Sequence, residues 1–220
     1  MPITLTGRYS TQGSSEGEFE PGSKQRVLKN FLGINKKRDM DITEWETYNH
    51  TIEYAMNHYA RDHRFTSRDI LHLHEKWLGS IYPWAGKYRQ VNIAKGNFHF
   101  AAAAQIPKLM KQFEKNELKK YTPCLETKMN DIITALAIVH IEFILIHPFR
   151  DGNGRLGRLI AIIMGSQADL PILDFGALKG KKLQDYFHAV QMGHAGKNEP
   201  MEAIFTSVIK RSFRLTRNLV

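Results

Sequence analysis

From Asp41 the apolar positions Ile42, Trp45, Tyr48, Ile52, Met56 and Tyr59 recur at steps of three and four, which predicts an amphipathic helix, and Thr43 with Glu46 offers it a capping box. A second helix is predicted from Ser67, carrying Ile70, Leu71, His74, Trp77 and Leu78, with Gly79 as its stop. Between residues 87 and 100 the pattern changes to Tyr, Val, Ile and Phe around Lys95-Gly96-Asn97, which predicts a two-stranded hairpin. A hairpin alone is marginal in water, so this one is expected to lie on the helical body and to move as a flap. Pro107 suits a first helical turn, and Ile106, Leu109, Met110 and Phe113 continue a third helix. From about 127 to 146 the chain is apolar on nearly every side, as a central buried helix should be. A further apolar helix follows over 156–164, and two more are suggested by Leu183, Tyr186, Phe187 and Val190 and by Pro200, Ile204, Phe205, Val208 and Phe213. The expected fold is an all-α bundle with one hairpin and no internal repeat or linker.

The first stretch, to Gly22, is rich in Ser, Gly, Thr and Glu and has little to bury, so residues 1–22 read as a flexible lead-in and 23–220 as one domain. Val27, Leu28, Phe31 and Leu32 form a short apolar face closed by Gly33, which predicts a brief helix lying as a lid on the body. With 220 residues, 42% of them hydrophobic and 24% charged, the chain can bury one sizeable core. A formal charge of +9 suits a polyanionic partner: nucleic acid, an anionic membrane or nucleotide phosphates. A single cysteine, Cys124, excludes an intramolecular disulfide framework and a cysteine-rich zinc site, so the cytoplasm is the expected compartment. The N-terminus has no apolar signal-type core, and the longest apolar stretch, 132–146, is broken by Thr134, His140 and Glu142 and reads as too short to span a bilayer.

The candidate chemistry lies where polar residues interrupt the two most apolar helices: His147, Arg150, Asp151, Asn153, Arg155 and Arg158. A helix, a glycine-rich turn and a second helix put Gly152, Asn153 and Gly154 at a helix N-terminus, where unpaired backbone N–H groups and the helix dipole favour an anion. Arg155 and Arg158 can each fork onto phosphate oxygens. Asp151, the one carboxylate of the segment, is better suited beside phosphates to holding Mg²⁺ than to acting as a base. His147 is the group able to take a proton near neutral pH. The alternative is a structural loop in which His147 only offsets a helix dipole. Gly152, Gly154 and Gly157 also fit the G-x-G-x-x-G pattern, with Asp174 at the distance of a ribose contact, but that motif should follow a strand and here follows a helix.

Residues 147–158, His-Pro-Phe-Arg-Asp-Gly-Asn-Gly-Arg-Leu-Gly-Arg, fill every specified position of H-P-F-x-[D/E]-G-N-G-R-x-x-R, and the chain resembles the Fic (filamentation induced by cAMP) family there. Pro21-Gly22 with Val27-Leu28-Lys29-Asn30, Trp84-Ala85-Gly86, and residues 186–200 are similar to the family's opening segment, flap approach and closing helices. The resemblance implies a Fic-type helical bundle with a β-hairpin flap that transfers AMP from ATP, with Mg²⁺, to a Ser, Thr or Tyr hydroxyl of a target protein. It implies His147 as general base, Asp151 as metal ligand, Gly152, Asn153, Gly154 and Arg155 on the α- and β-phosphates, and Arg158 on the γ-phosphate. The hairpin, with Val91, Ile93, Lys95 and Phe98, is similar to the flap that docks the target segment by strand addition.

Family members are often restrained by a helix of the form [S/T]-x-x-x-E-[G/N], whose glutamate pairs with the last motif arginine, here Arg158. The nearest match, Ser14 with Glu18, continues with Phe19 and lies in a Gly/Ser-rich segment. The resemblance therefore implies a separate bacterial antitoxin that supplies the glutamate. His72 and His74 fall on different helix faces and read as ordinary helix residues. The scattered lysines read as a solvated surface, which leaves a nucleic-acid-binding module and transfer of another phosphate-containing group as alternative functions.

Overall fold

The computed structural model describes residues 15–96 and 98–217. Eight α-helices and one two-stranded hairpin make up its main elements, so the all-α reading holds. At the centre lies α5 (Met129–Ile146), which packs against α3 (Ile106–Phe113), α6 (Asn153–Gln167), α7 (Lys181–His194) and α8 (Glu199–Arg217). By length and mean hydropathy α5 could cross a membrane, contrary to the shorter broken stretch expected, but here its apolar side chains are buried between neighbouring helices. The approach of α6 to α5 depends on Gly157, where a Cβ would meet His140, Ile144 and Phe143 side chains at 3.1–3.2 Å.

Helix α1 spans Lys37–His58 and starts before the position read from the sequence. Its buried face is Met40, Glu44, Tyr48, Thr51 and Ala55, while Ile42 and Trp45 are exposed. Tyr48 and Tyr59 are buried and Ile52 and Met56 pack on the core as the apolar spacing predicts, but that spacing misses Glu44 and Thr51, whose hydrogen-bond partners make their burial tolerable. Thr43 lies inside the helix and bonds back to the Asp39 carbonyl at 3.0 Å, so the expected capping box is not formed. In α2 (Ser67–Leu78) a capping box does form, one residue earlier, between Thr66 and Asp69.

The lid helix expected around Val27 to Leu32 is also not formed. Asn30 accepts from the backbone N–H groups of Leu32 and Ile34 and donates to the Leu28 and Ile34 carbonyls, a local alternative to helical bonding. Phe31 and Leu32 are exposed. Of the lead-in, residues 1–14 lie outside the described part. Phe19 bridges Leu28, and Glu16 reaches the body through Gln90 and Arg150.

The hairpin is shorter than the sequence pattern: β1 (Ala94–Lys95) pairs antiparallel with β2 (Phe98–His99), in the register Ala94↔His99 and Lys95↔Phe98. Beyond this pairing the stems share the backbone bond from Phe100 N to Ile93 O at 3.3 Å and are held further by a side chain. Buried Arg89 donates to the carbonyls of Val91, Ala101 and His147 at 2.6–2.8 Å, and so ties both stems of the hairpin to the end of α5.

Candidate active site

The segment between α5 and α6 forms one wall of a cleft of about 800 Å³. Two left-handed residues shape it: His147 (φ 51°) ends α5 and Gly152 (φ 86°) precedes α6. A side chain at 152 would be strained by that φ, and its Cβ would meet Trp77 at 2.7 Å. Between them, Asn153 closes the loop on itself, its carbonyl oxygen accepting from Phe149 N and its amide donating to Phe149 O. Asn153 is thus buried and its side chain is turned to the loop, so it can offer a ligand only its backbone N–H.

Among the sequence-derived candidates, His147, Asp151, Gly152, Gly154, Arg155, Arg158, Lys95 and Phe98 all line the cleft. Val91 and Ile93 do not; both are buried. His147 is 5% exposed, and its ring lies beneath Phe100, ring to ring at 3.7 Å. Its Nδ1 is 2.9 Å from the Ile144 carbonyl, which can only accept, so Nδ1 carries the proton and the lone pair is on Nε2. Burial lowers its pKa to about 3, which keeps the imidazole neutral across the ordinary pH range. In this tautomer Nε2 is the acceptor nitrogen, and burial under Phe100 makes it a weaker base than the near-neutral group expected from the sequence.

Asp151 accepts from Gly152 N at 2.6 Å and also faces the cleft. No group of three or more His, Cys, Asp or Glu capable of holding a metal occurs among the described residues. A single carboxylate beside a helix N-terminus still fits Mg²⁺, which takes one or two protein carboxylates and completes its shell with phosphate and water. The first turn of α6 presents backbone N–H groups without intrahelical acceptors. Arg155 pairs with Glu44 at 2.5 Å and lies over the Trp77 ring at 4.4 Å. Arg158 has no ion pair among the described residues.

Several residues around the site escaped the sequence reading. His74 is fully buried, stacks on Phe149 at 3.8 Å, accepts from Gly86 N and donates from Nε2 to the Asp151 carbonyl. Burial holds its pKa at about 4. His140 donates from Nδ1 to the Gly157 carbonyl and accepts from the Tyr186 hydroxyl at 2.8 Å, again with a pKa lowered by burial to about 4. A buried histidine within an otherwise apolar helix was the available signal. Asp174 is held by Arg211 and Gly176 N, and α5 precedes the glycines, so the dinucleotide-fold reading of Gly152, Gly154 and Gly157 falls.

A helical fold around a glycine-containing turn at a helix N-terminus, with a buried histidine at its edge, defines the class. The Fic/DOC family model matches residues 64–164. The chain is similar to the protein adenylyltransferase VbhT of Bartonella schoenbuchensis, 27% identical over 144 residues that make up 66% of this chain and 29% of that protein. It shares its fold with the N-terminal Fic domain of a Bep effector from Bartonella sp. AR 15-3 (TM-score 0.67, 22% identical, 87% of this chain and 88% of that one). It also shares it with the BepC protein of Bartonella tribocorum, solved with bound AMPPNP (TM-score 0.63, 24% identical, 82% and 91% covered). The chain spans less than half the length of the curated relatives it matches.

Proposed function

We propose that this chain is a protein adenylyltransferase, moving AMP from ATP to a Ser, Thr or Tyr hydroxyl of a target protein. The observation that carries the reading is the placement, in one cleft, of a proton-accepting His147 beside the N-terminal turn of α6 and two arginines. The target hydroxyl oxygen forms a bond to the α-phosphorus, its proton passes to Nε2 of His147, and the bond to the bridging oxygen breaks to release pyrophosphate. The backbone of Gly152, Asn153 and Gly154 with Arg155 holds the α- and β-phosphates, and Arg158 the γ-phosphate. Asp151 would hold Mg²⁺, which when bound offsets phosphate charge. Relatives named adenylyltransferases and a neighbour holding AMPPNP support this reading.

The target segment docks on the hairpin by main-chain pairing, and the half-buried Phe98 and exposed Lys95 meet it at the cleft. Arg158 waits for a glutamate from a separate antitoxin: Glu18, the internal candidate, is paired with Lys29 at 2.9 Å. Ser14 lies outside the described residues. The reading places the protein in the cytoplasm, with ATP and without membrane or nucleic acid as partners. Thermal unfolding with and without ATP and Mg²⁺ tests it first, since a ligand at 100 times its Kd adds about 2.7 kcal/mol of stability. A transition unmoved by ATP but raised by nucleic acid would replace this function with a nucleic-acid-binding one.

A further inference from the structure

Glu44 is the one buried carboxylate among the described residues, and it stands behind the cleft rather than in it. Removing a carboxylate from water is costly unless each oxygen is satisfied, and here both are. Oε1 accepts from the Tyr82 hydroxyl at 2.6 Å and Oε2 from Arg155 Nη1 at 2.5 Å. The Glu44 carbonyl accepts from Trp77 Nε1 at 2.9 Å, and the face of that same indole lies under the Arg155 guanidinium. Tyr48, one turn further along α1, donates its hydroxyl to the Arg155 carbonyl at 2.8 Å. Residues of α1 and α2 therefore grip both the backbone and the head of Arg155. A guanidinium has five N–H donors in a rigid fork, and Glu44 takes one edge of it while the side chain still borders the cleft.

We infer that Glu44 is a positioning residue: its carboxylate fixes the fork of Arg155 so that the remaining N–H groups face a phosphate of the bound nucleotide. This rests on the reading of the cleft as an ATP site. An arginine left to itself is mobile, and holding it in place before the nucleotide arrives removes an ordering cost from binding. The pair is 111 residues apart in sequence, so it links α1 to the motif helix α6.

The test is a double-mutant cycle on ATP binding by calorimetry, with transfer kinetics alongside, for wild type, Glu44→Gln, Arg155→Ala and the double variant. Loss of a hydrogen bond between charged groups predicts a weakening of ATP binding by about tenfold or more in Glu44→Gln. In the Arg155→Ala background the same change should weaken it no further, because the effect passes through the arginine. Glu44→Asp, which keeps the charge, should recover part of the loss. Equal losses in both backgrounds would reduce Glu44 to a structural role and overturn the inference, as would tighter binding and faster transfer in Glu44→Gln, the behaviour of a brake. If Glu44→Gln does not fold, Tyr82→Phe removes one anchor of the carboxylate and should raise the KM for ATP with little change in kcat; an unchanged KM overturns the inference. Wild type that binds no ATP removes the functional reading itself, whereas equal losses from a wild type that binds ATP remove this inference alone.

Discussion

His147 sits at the end of α5 with its ring under Phe100 and its Nδ1 proton committed to the Ile144 carbonyl. Replacing it by alanine should reduce transfer by ~10²–10⁴ while the circular dichroism spectrum stays that of wild type. Because burial lowers its pKa, the acid limb of the transfer rate should fall below the ordinary histidine value of about 6.5. Protonation removes the acceptor, so activity is held above the limb and lost as pH falls through it. Phe100→Ala wets the ring and should move that limb up toward 6.5; a limb already at or above 6.5 in wild type would mean that the ring is not shielded. The residue types of the motif were legible in the sequence because they are contiguous. Phe100, Glu44 and Arg89 were not, since each meets the motif only through the fold.

At the scale of elements, the hairpin was legible as a β signal but not in extent. The alternating residues Val91 and Ile93 are buried in the body, and Arg89 takes stem carbonyls that a longer ladder would need. This changes which substitutions report on docking. Ile93→Asp places a carboxylate in a buried apolar site and should lower the unfolding midpoint markedly, so its loss of activity would say nothing of the flap. Phe98→Asp acts on a half-buried residue at the cleft and should reduce transfer to a separate target at least about tenfold, with ATP affinity nearly unchanged. Equal loss of ATP affinity would make the hairpin a structural part of the nucleotide site. The helices α2 and α3 were legible from their three-and-four spacing and α5 from its apolar run, whereas the buried face of α1 was legible only in part: Tyr48 and Tyr59 are buried as the spacing predicts, but polar Glu44 and Thr51 are buried too while Ile42 and Trp45 are exposed.

For the molecule as a whole, three histidines, His74, His140 and His147, are buried in the neutral state with folded pKa values of about 4, 4 and 3. Their unfolded value is about 6.5, so between there and the folded values the unfolded chain binds more protons and stability falls as pH falls. Each histidine should cost roughly 2 kcal/mol by pH 5, a loss visible as a drop in the urea midpoint between pH 7 and pH 5. A midpoint constant over that interval would mean that these rings are hydrated. The central claim, that the cleft moves AMP and not another part of ATP, is tested most directly by incubating the protein and a cell lysate with ATP labelled on the α-phosphate or, in parallel, on the γ-phosphate. Label is expected on protein from α-labelled ATP alone, with release of pyrophosphate and none of it in His147→Ala. Label carried over from the γ-phosphate, or equal labelling by the His147 variant, would contradict it.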